Sequence, residues 1–198
     1  MSDFHHLSDR KNLRLPGYNY SKSGLYFITI CTQNREHLFG RVENRQMVLN
    51  AAGQMCENWF LELEHKYPDN KIHGFVVMPN HFHGIVENVD DILNIHTDAH
   101  IGAPLRGRPN DHPNNKNNLY GSENRIYGAP IGRVINWFKP MTTNEFIRGV
   151  KNKDWLHFDE KLWQRNYHDH IIRDKQEYDR ITEYIRNNPA NWEDDRFY

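Results

Sequence analysis

With 26 acidic against 25 basic residues in 198, the chain has a net charge of −1 and lacks the overall basic excess usual in a nucleic-acid-binding domain, although a local patch can be cancelled elsewhere. Two cysteines, Cys31 and Cys56, exclude a disulfide framework and a cysteine-based zinc site and suit a reducing compartment. No apolar run approaches a bilayer span, and the polar start Met1–His6 does not read as a signal peptide, so one intracellular domain with a large insertion is expected.

Residues 1–23 set Arg10, Lys11, Arg14 and Lys22 among Tyr18 and Tyr20. They read either as a basic, aromatic arm along a phosphate backbone or as an ordinary solvated terminus. Gly24–Thr32 is a strand by its β-branched and aromatic content, and Gln33-Asn34-Arg35 is a turn. Apolar residues at Val48, Ala51, Ala52, Met55, Trp59, Phe60 and Leu63 follow helical spacing and predict a helix over 47–65, closed by Pro68-Asp69-Asn70. Lys71–Met78 and His81–Glu87 predict two strands joined by a two-residue turn at Pro79-Asn80.

From Asn88 to Pro130 the composition shifts to Asn, Asp, Gly, Pro and His, which predicts a long loop-like insertion over 88–130. Its His96, His100 and His112 read as loop residues. Ile131–Val150 resumes a helical pattern, with Pro140 expected to kink or split it near Asn136. Lys161–Arg173 predicts a strand. Asp174 with Glu177 three residues on is a capping-box pattern that opens a final helix over 175–187, ending at Asn187-Asn188-Pro189. The order strand, helix, strand, strand, helix, strand, helix predicts an α+β fold of the ferredoxin-like split βαβ kind. Its antiparallel four-stranded sheet would carry two helices on one face, leaving the last helix for the other face or an edge.

Alternation puts His81 and His83 on one side of their strand, about 7 Å apart, with Phe82 pointing the other way. Two imidazoles so placed suit Mg, Mn or Zn with an open position. The plainer reading is two polar side chains on a solvated sheet face. On the last helix Tyr184 and Asn188, four residues apart, share a face. A phenol, with a pKa near 10, is a weak nucleophile until a charged neighbour assists it, and a packing tyrosine beside a helix-terminal asparagine is the plainer reading. Arg133, Trp137, Lys139, Arg148, Trp163, Gln164 and Arg165 together could grip and stack a single strand, though singly each suits surface charge or core. There is no Gly-rich phosphate loop, no Gly-x-Ser-x-Gly elbow and no His-Glu-x-x-His helix, so the histidine pair and Tyr184 are the coherent site.

Met78-Pro79-Asn80-His81-Phe82-His83 resembles the His-hydrophobe-His motif of the HUH single-tyrosine transposases. Gly17–Ser21 and Gly24–Thr32 are similar to that family's opening, and Trp163–Arg173 with Tyr184–Pro189 to its closing segments, most closely in the REP-associated tyrosine transposase branch. The resemblance implies that His81 and His83, with Asn188 as a third polar ligand, hold Mg2+ or Mn2+ against a scissile phosphate. It implies that Tyr184 attacks single-stranded DNA beside hairpins, giving a 5′-phosphotyrosine and a free 3′-hydroxyl, and that the same enzyme rejoins strands. Arg14, Arg133, Lys139 and Arg165 would then contact DNA, in a bacterial cytosol or nucleoid, and relatives act either as monomers or as homodimers. The long insertion, and Asn where relatives place Gln at 188, depart from the family pattern. Two other functions fit the same residues: a domesticated protein that binds DNA hairpins without cutting them, and a metal phosphoesterase that uses water.

Overall fold

The computed structural model describes residues 23–89, 131–195 and 197. The N-terminal arm with Arg14, and the insertion beyond Val89 with His96, His100 and His112, lie outside the described residues. The elements in chain order are β1 (Gly24–Cys31), β2 (Gly40–Glu43), β3 (Gln46–Leu49), α1 (Ala51–Lys66), β4 (Asn70–Val77), β5 (His81–Asn88), α2 (Ile131–Asn152), β6 (His168–Ile172) and α3 (Lys175–Asn187). β4-β5-β1-β6, in that order, make one antiparallel sheet, the expected split βαβ arrangement, and β2 and β3 form a separate hairpin.

Alternation along the central strands divides the core in two. Tyr26, Ile28 and Ile30 of β1 and Phe82 and Val86 of β5 face α1 and α2, which bury Phe60, Leu63, Val134 and Phe138 against them. Gly84 keeps this face open for an aromatic ring, because a Cβ there would meet Phe60 at 2.7 Å and Phe82 at 2.9 Å. On the opposite face α3 lays Ile181 and Ile185 over Ile85 and Ile172. The last helix therefore takes the other face rather than an edge. It opens as its pattern predicts, with the Asp174 side chain accepting from the Glu177 amide at 2.8 Å, while Glu177 reaches back to the Arg173 amide at 2.9 Å.

Four boundaries differ from expectation. Met47-Val48-Leu49 belong to β3 and not to the first helix, because the Asn50 side chain accepts from the Gly53 amide at 2.9 Å and caps α1 at Ala51. The hairpin before it turns through Asn44 and Arg45, both left-handed (φ 51° and 64°), a primed two-residue turn without the Asn-Gly signature. α2 runs unbroken through Pro140, whose exposed ring and the exposed Asn136 one turn earlier sit on the solvent side while Ile135, Phe138, Thr142 and Phe146 stay buried. Of the expected strand 161–173, His168–Ile172 forms β6, while Trp163 keeps a single antiparallel bridge to Thr32 with its side chain in the core, where Nε1 donates to Thr142 Oγ1 at 2.8 Å. The fourth is Asn88, which ends β5 as a buried residue hydrogen-bonded to Asn70 instead of opening the insertion.

Candidate active site

His81 and His83 stand on the α3 face of β5 and are fully buried, so the solvated-face reading of the pair does not hold. Their rings lie 4.5 Å apart, centroid to centroid. Each is oriented by a neighbour. Asn80 donates from Nδ2 to the carbonyl oxygens of Phe197 (2.7 Å) and Arg35 (3.4 Å), which turns its Oδ1 to His81 Nδ1 at 2.8 Å. An amide oxygen can only accept, so His81 Nδ1 carries the proton and Nε2 keeps its lone pair for a ligand. His83 Nδ1 lies 2.8 Å from Thr29 Oγ1, the residue directly across the β1–β5 ladder. Such outer partners set the tautomer and aim of metal-binding imidazoles.

Tyr184 comes to this pair from α3. Its phenol oxygen lies 3.2 Å from His83 Nε2 and 3.3 Å from Asp195 Oδ2, and its ring meets Phe27 and His83 edge-on. At 40% exposure the phenol is within reach of an incoming substrate while its proton has the Asp195 carboxylate as an acceptor. Asn188, buried at the end of the same helix, donates from Nδ2 to Asp195 Oδ2 at 2.7 Å, and its Oδ1 is buried with no hydrogen-bond partner among the described residues. The four-residue spacing thus does bring Tyr184 and Asn188 together, and Asp195 joins them.

Asp195 is the residue the sequence reading missed. One ligand atom from each of His81, His83 and Asp195 lies within 4.8 Å of the others. The carboxylate arrives because a 3-10 segment at Pro189–Asp194 folds the chain back beneath the sheet. Trp192 then stacks on His81 (5.8 Å, 28°), and Phe197 packs against His81 at 4.8 Å. The only trace in the sequence is the acidic run Glu193-Asp194-Asp195, in which nothing singles out the third member.

The basic residues expected at DNA do not converge here. Arg133 is exposed on α2, across the sheet from the histidines, and Arg165 is exposed in the segment leading to β6. The Lys139 ammonium is turned inward and donates to the carbonyl oxygens of Gln164 (2.8 Å), Arg165 (3.3 Å) and Asn166 (3.2 Å). Those three bonds make it a loop anchor, and partial burial pulls its pKa down to about 8. Cys56 is also buried, which pushes its thiol well above the usual range and leaves it inert as a nucleophile.

No protein-family model matches the chain. An uncharacterized protein of Haemophilus influenzae strain Rd is 38% identical over 189 residues, covering 96% of this chain and 93% of that protein. The chain belongs to one family with that protein. Among solved structures, it is similar to a REP-associated tyrosine transposase bound to a REP hairpin (TM-score 0.45, 17% identity, 97% of this chain and 74% of that one). It is also similar to a proposed transposase of Deinococcus radiodurans r1 (TM-score 0.44, 12% identity, 88% of this chain and 95% of that one). No helix among the described residues is long and apolar enough to cross a membrane.

Proposed function

We propose that this protein nicks and rejoins single-stranded DNA through Tyr184, in the manner of the tyrosine transposases its motifs resemble. The observation that carries the reading is the phenol of Tyr184 3.2 Å from one of two buried histidines, each hydrogen-bonded through Nδ1 to Thr29 or Asn80, that share a 4.8 Å cluster with Asp195. A hairpin-binding protein has no need of that cluster, and a water-using phosphoesterase has no need of the phenol.

The donor set fits a divalent cation. Two imidazoles and one carboxylate make a mixed nitrogen and oxygen site that suits Mn2+ or Mg2+, and Asn188, whose Nδ2 bonds Asp195, would add its buried Oδ1. When bound, the cation neutralises phosphate charge and polarises the phosphoryl oxygens. The protein's own residues do the rest. Tyr184 Oη attacks phosphorus and its proton passes to the Asp195 carboxylate 3.3 Å away, while the P–O3′ bond breaks and the leaving oxygen takes a proton from solvent water to become a free 3′-hydroxyl. The downstream strand stays on the tyrosine as a 5′-phosphotyrosine. Attack by another 3′-hydroxyl reverses the step and joins two strands without ATP. Hairpins beside the target, as in the relatives the motifs resemble, would present the single-stranded stretch.

The test is incubation with hairpin-flanked single-stranded DNA and Mn2+, reading a covalent protein–DNA band. Wild type should form the band and Tyr184→Phe should not; an undiminished band from the variant would reject the nucleophile.

A further inference from the structure

Tyr184 stands at one end of a groove of about 570 Å³. Its floor is made by Phe27 of β1 and His170 of β6, which face each other directly in the strand register and so share one side of the sheet. α3 forms the wall with Arg180 and Ile181, and Asp194 and Asp195 close the end beside the tyrosine.

The charges along this groove are unequally committed. Glu177 accepts from the Arg173 amide at 2.9 Å and from His170 at 2.6 Å, and these hydrogen bonds, the first above all, hold its carboxyl below the usual range. Arg180 is only 3.6 Å from that already occupied carboxylate, and its side chain is 73% exposed. It precedes Tyr184 by four residues, so the two side chains stand one helical turn apart, about 5–6 Å between Cβ atoms, on the same side of α3. A guanidinium at that distance from the nucleophile can take the next phosphate along a strand bidentately, and the rings of Phe27, stacked on its other side against His83 (5.2 Å, 26°), and His170 can offer a stacking platform indifferent to base identity. Asp194 and Asp195 would repel such a strand until a divalent cation offsets their charge.

We propose that this groove seats one nucleotide adjoining the phosphate that Tyr184 attacks, its base across Phe27 and His170 and its phosphate on Arg180. The proposal rests on the reading of Tyr184 as a DNA nucleophile. It also makes seating of the nucleotide dependent on the cation.

The experiment uses the full chain and fluorescent hairpin-flanked single-stranded DNA in Mn2+, with anisotropy across a salt series. Arg180→Gln should weaken binding about tenfold at low salt and flatten the slope of log affinity against log salt by about 0.7, one phosphate's worth. The DNA concentration giving half-maximal adduct rate should rise in parallel. Arg180→Lys should restore the slope without the full affinity, since it keeps the charge and loses the fork. An abasic nucleotide on one side of the cleaved phosphate should cost wild type about tenfold, from lost stacking. Unchanged affinity and slope in Arg180→Gln, or indifference to an abasic nucleotide on both sides, overturns the groove assignment. An adduct formed by Tyr184→Phe overturns the nucleophile instead, and the anisotropy arms still decide the groove.

Discussion

The two faces of the sheet are made from the same strands to opposite ends. Toward α1 and α2, β1 and β5 present Tyr26, Ile28, Ile30, Phe82 and Val86, all buried among apolar and aromatic neighbours. Toward α3 they present Phe27, Thr29, His81, His83 and Ile85, of which three are buried and polar. The first face contributes about 1.5–3 kcal/mol for each large side chain it removes from water. The second costs desolvation, offset only because its polar groups are paired: Thr29 with His83, Asn80 with His81, Asn188 with Asp195. The difference teaches that folding is secured on one side of the sheet so that the other can hold a reactive constellation.

The sharpest way to break that comparison is Tyr184→Phe. It should lower covalent adduct formation by on the order of 10⁴-fold or more, because a nucleophile has no partial substitute. Thermal unfolding should barely move, since the phenol is half-exposed and the ring is retained. A large fall in Tm would mean that the α3 face carries the fold after all. Phe60→Ala is the mirror experiment. Phe60 fills the space left by Gly84 and touches Phe75, Phe82 and Phe138, so its truncation should cost about 3–5 kcal/mol in urea unfolding. Adduct formation per folded molecule should be unchanged; a loss beyond the unfolded fraction would show that the two faces are coupled.

Asp195→Asn tests the polar face at finer grain. The amide keeps the shape and an oxygen that can accept from Asn188, but it loses the negative charge beside His81 and His83. Mn2+ affinity measured by calorimetry should fall at least about tenfold. Equal affinity in wild type and variant would remove Asp195 from the ligand set and return the third position to Asn188, whose buried Oδ1 is the other oxygen available.

How much of this could be read from the chain depends on the range of the interaction. His81 and His83 were legible because a strand's period of two fixes their common side, and Tyr184 with Asn188 because a helix's spacing does the same. The split βαβ arrangement followed from the order of elements. Asp195 was not legible: it reaches the histidines 112 and 114 residues away only through the fold-back at Pro189–Asp194. β2 and β3 escaped because four-residue strands joined by Asn-Arg carry neither the length nor the turn signature that marks a hairpin. Lys139 was legible as a cation but not as a half-buried loop anchor, since charge alone does not tell which way a side chain turns on a helix that carries the core on its other side.

Lys139 yields the smallest effect and the most specific one. Lys139→Met keeps the apolar stem and removes the ammonium that ties α2 to the carbonyl oxygens of Gln164, Arg165 and Asn166, at a net cost of about 0.5–1 kcal/mol near neutral pH, because desolvation of the ammonium offsets part of those bonds. The cost should depend on pH with a definite sign. Burial lowers the ammonium from the ordinary 10.5 to about 8 in the folded chain. Below about 8 both states are protonated and this group adds no slope. Between 8 and 10.5 the unfolded chain binds more protons at this site than the folded one, so wild-type stability rises with pH relative to the variant. Cys56 acts in the opposite direction, its raised thiol making stability fall as the unfolded thiol ionises, but it is present in both proteins and cancels in the difference. A stability difference flat across this window would mean that the ammonium is not held in a buried environment. A lower salt slope for single-stranded DNA in the variant would make Lys139 a phosphate contact, the role its charge alone suggested.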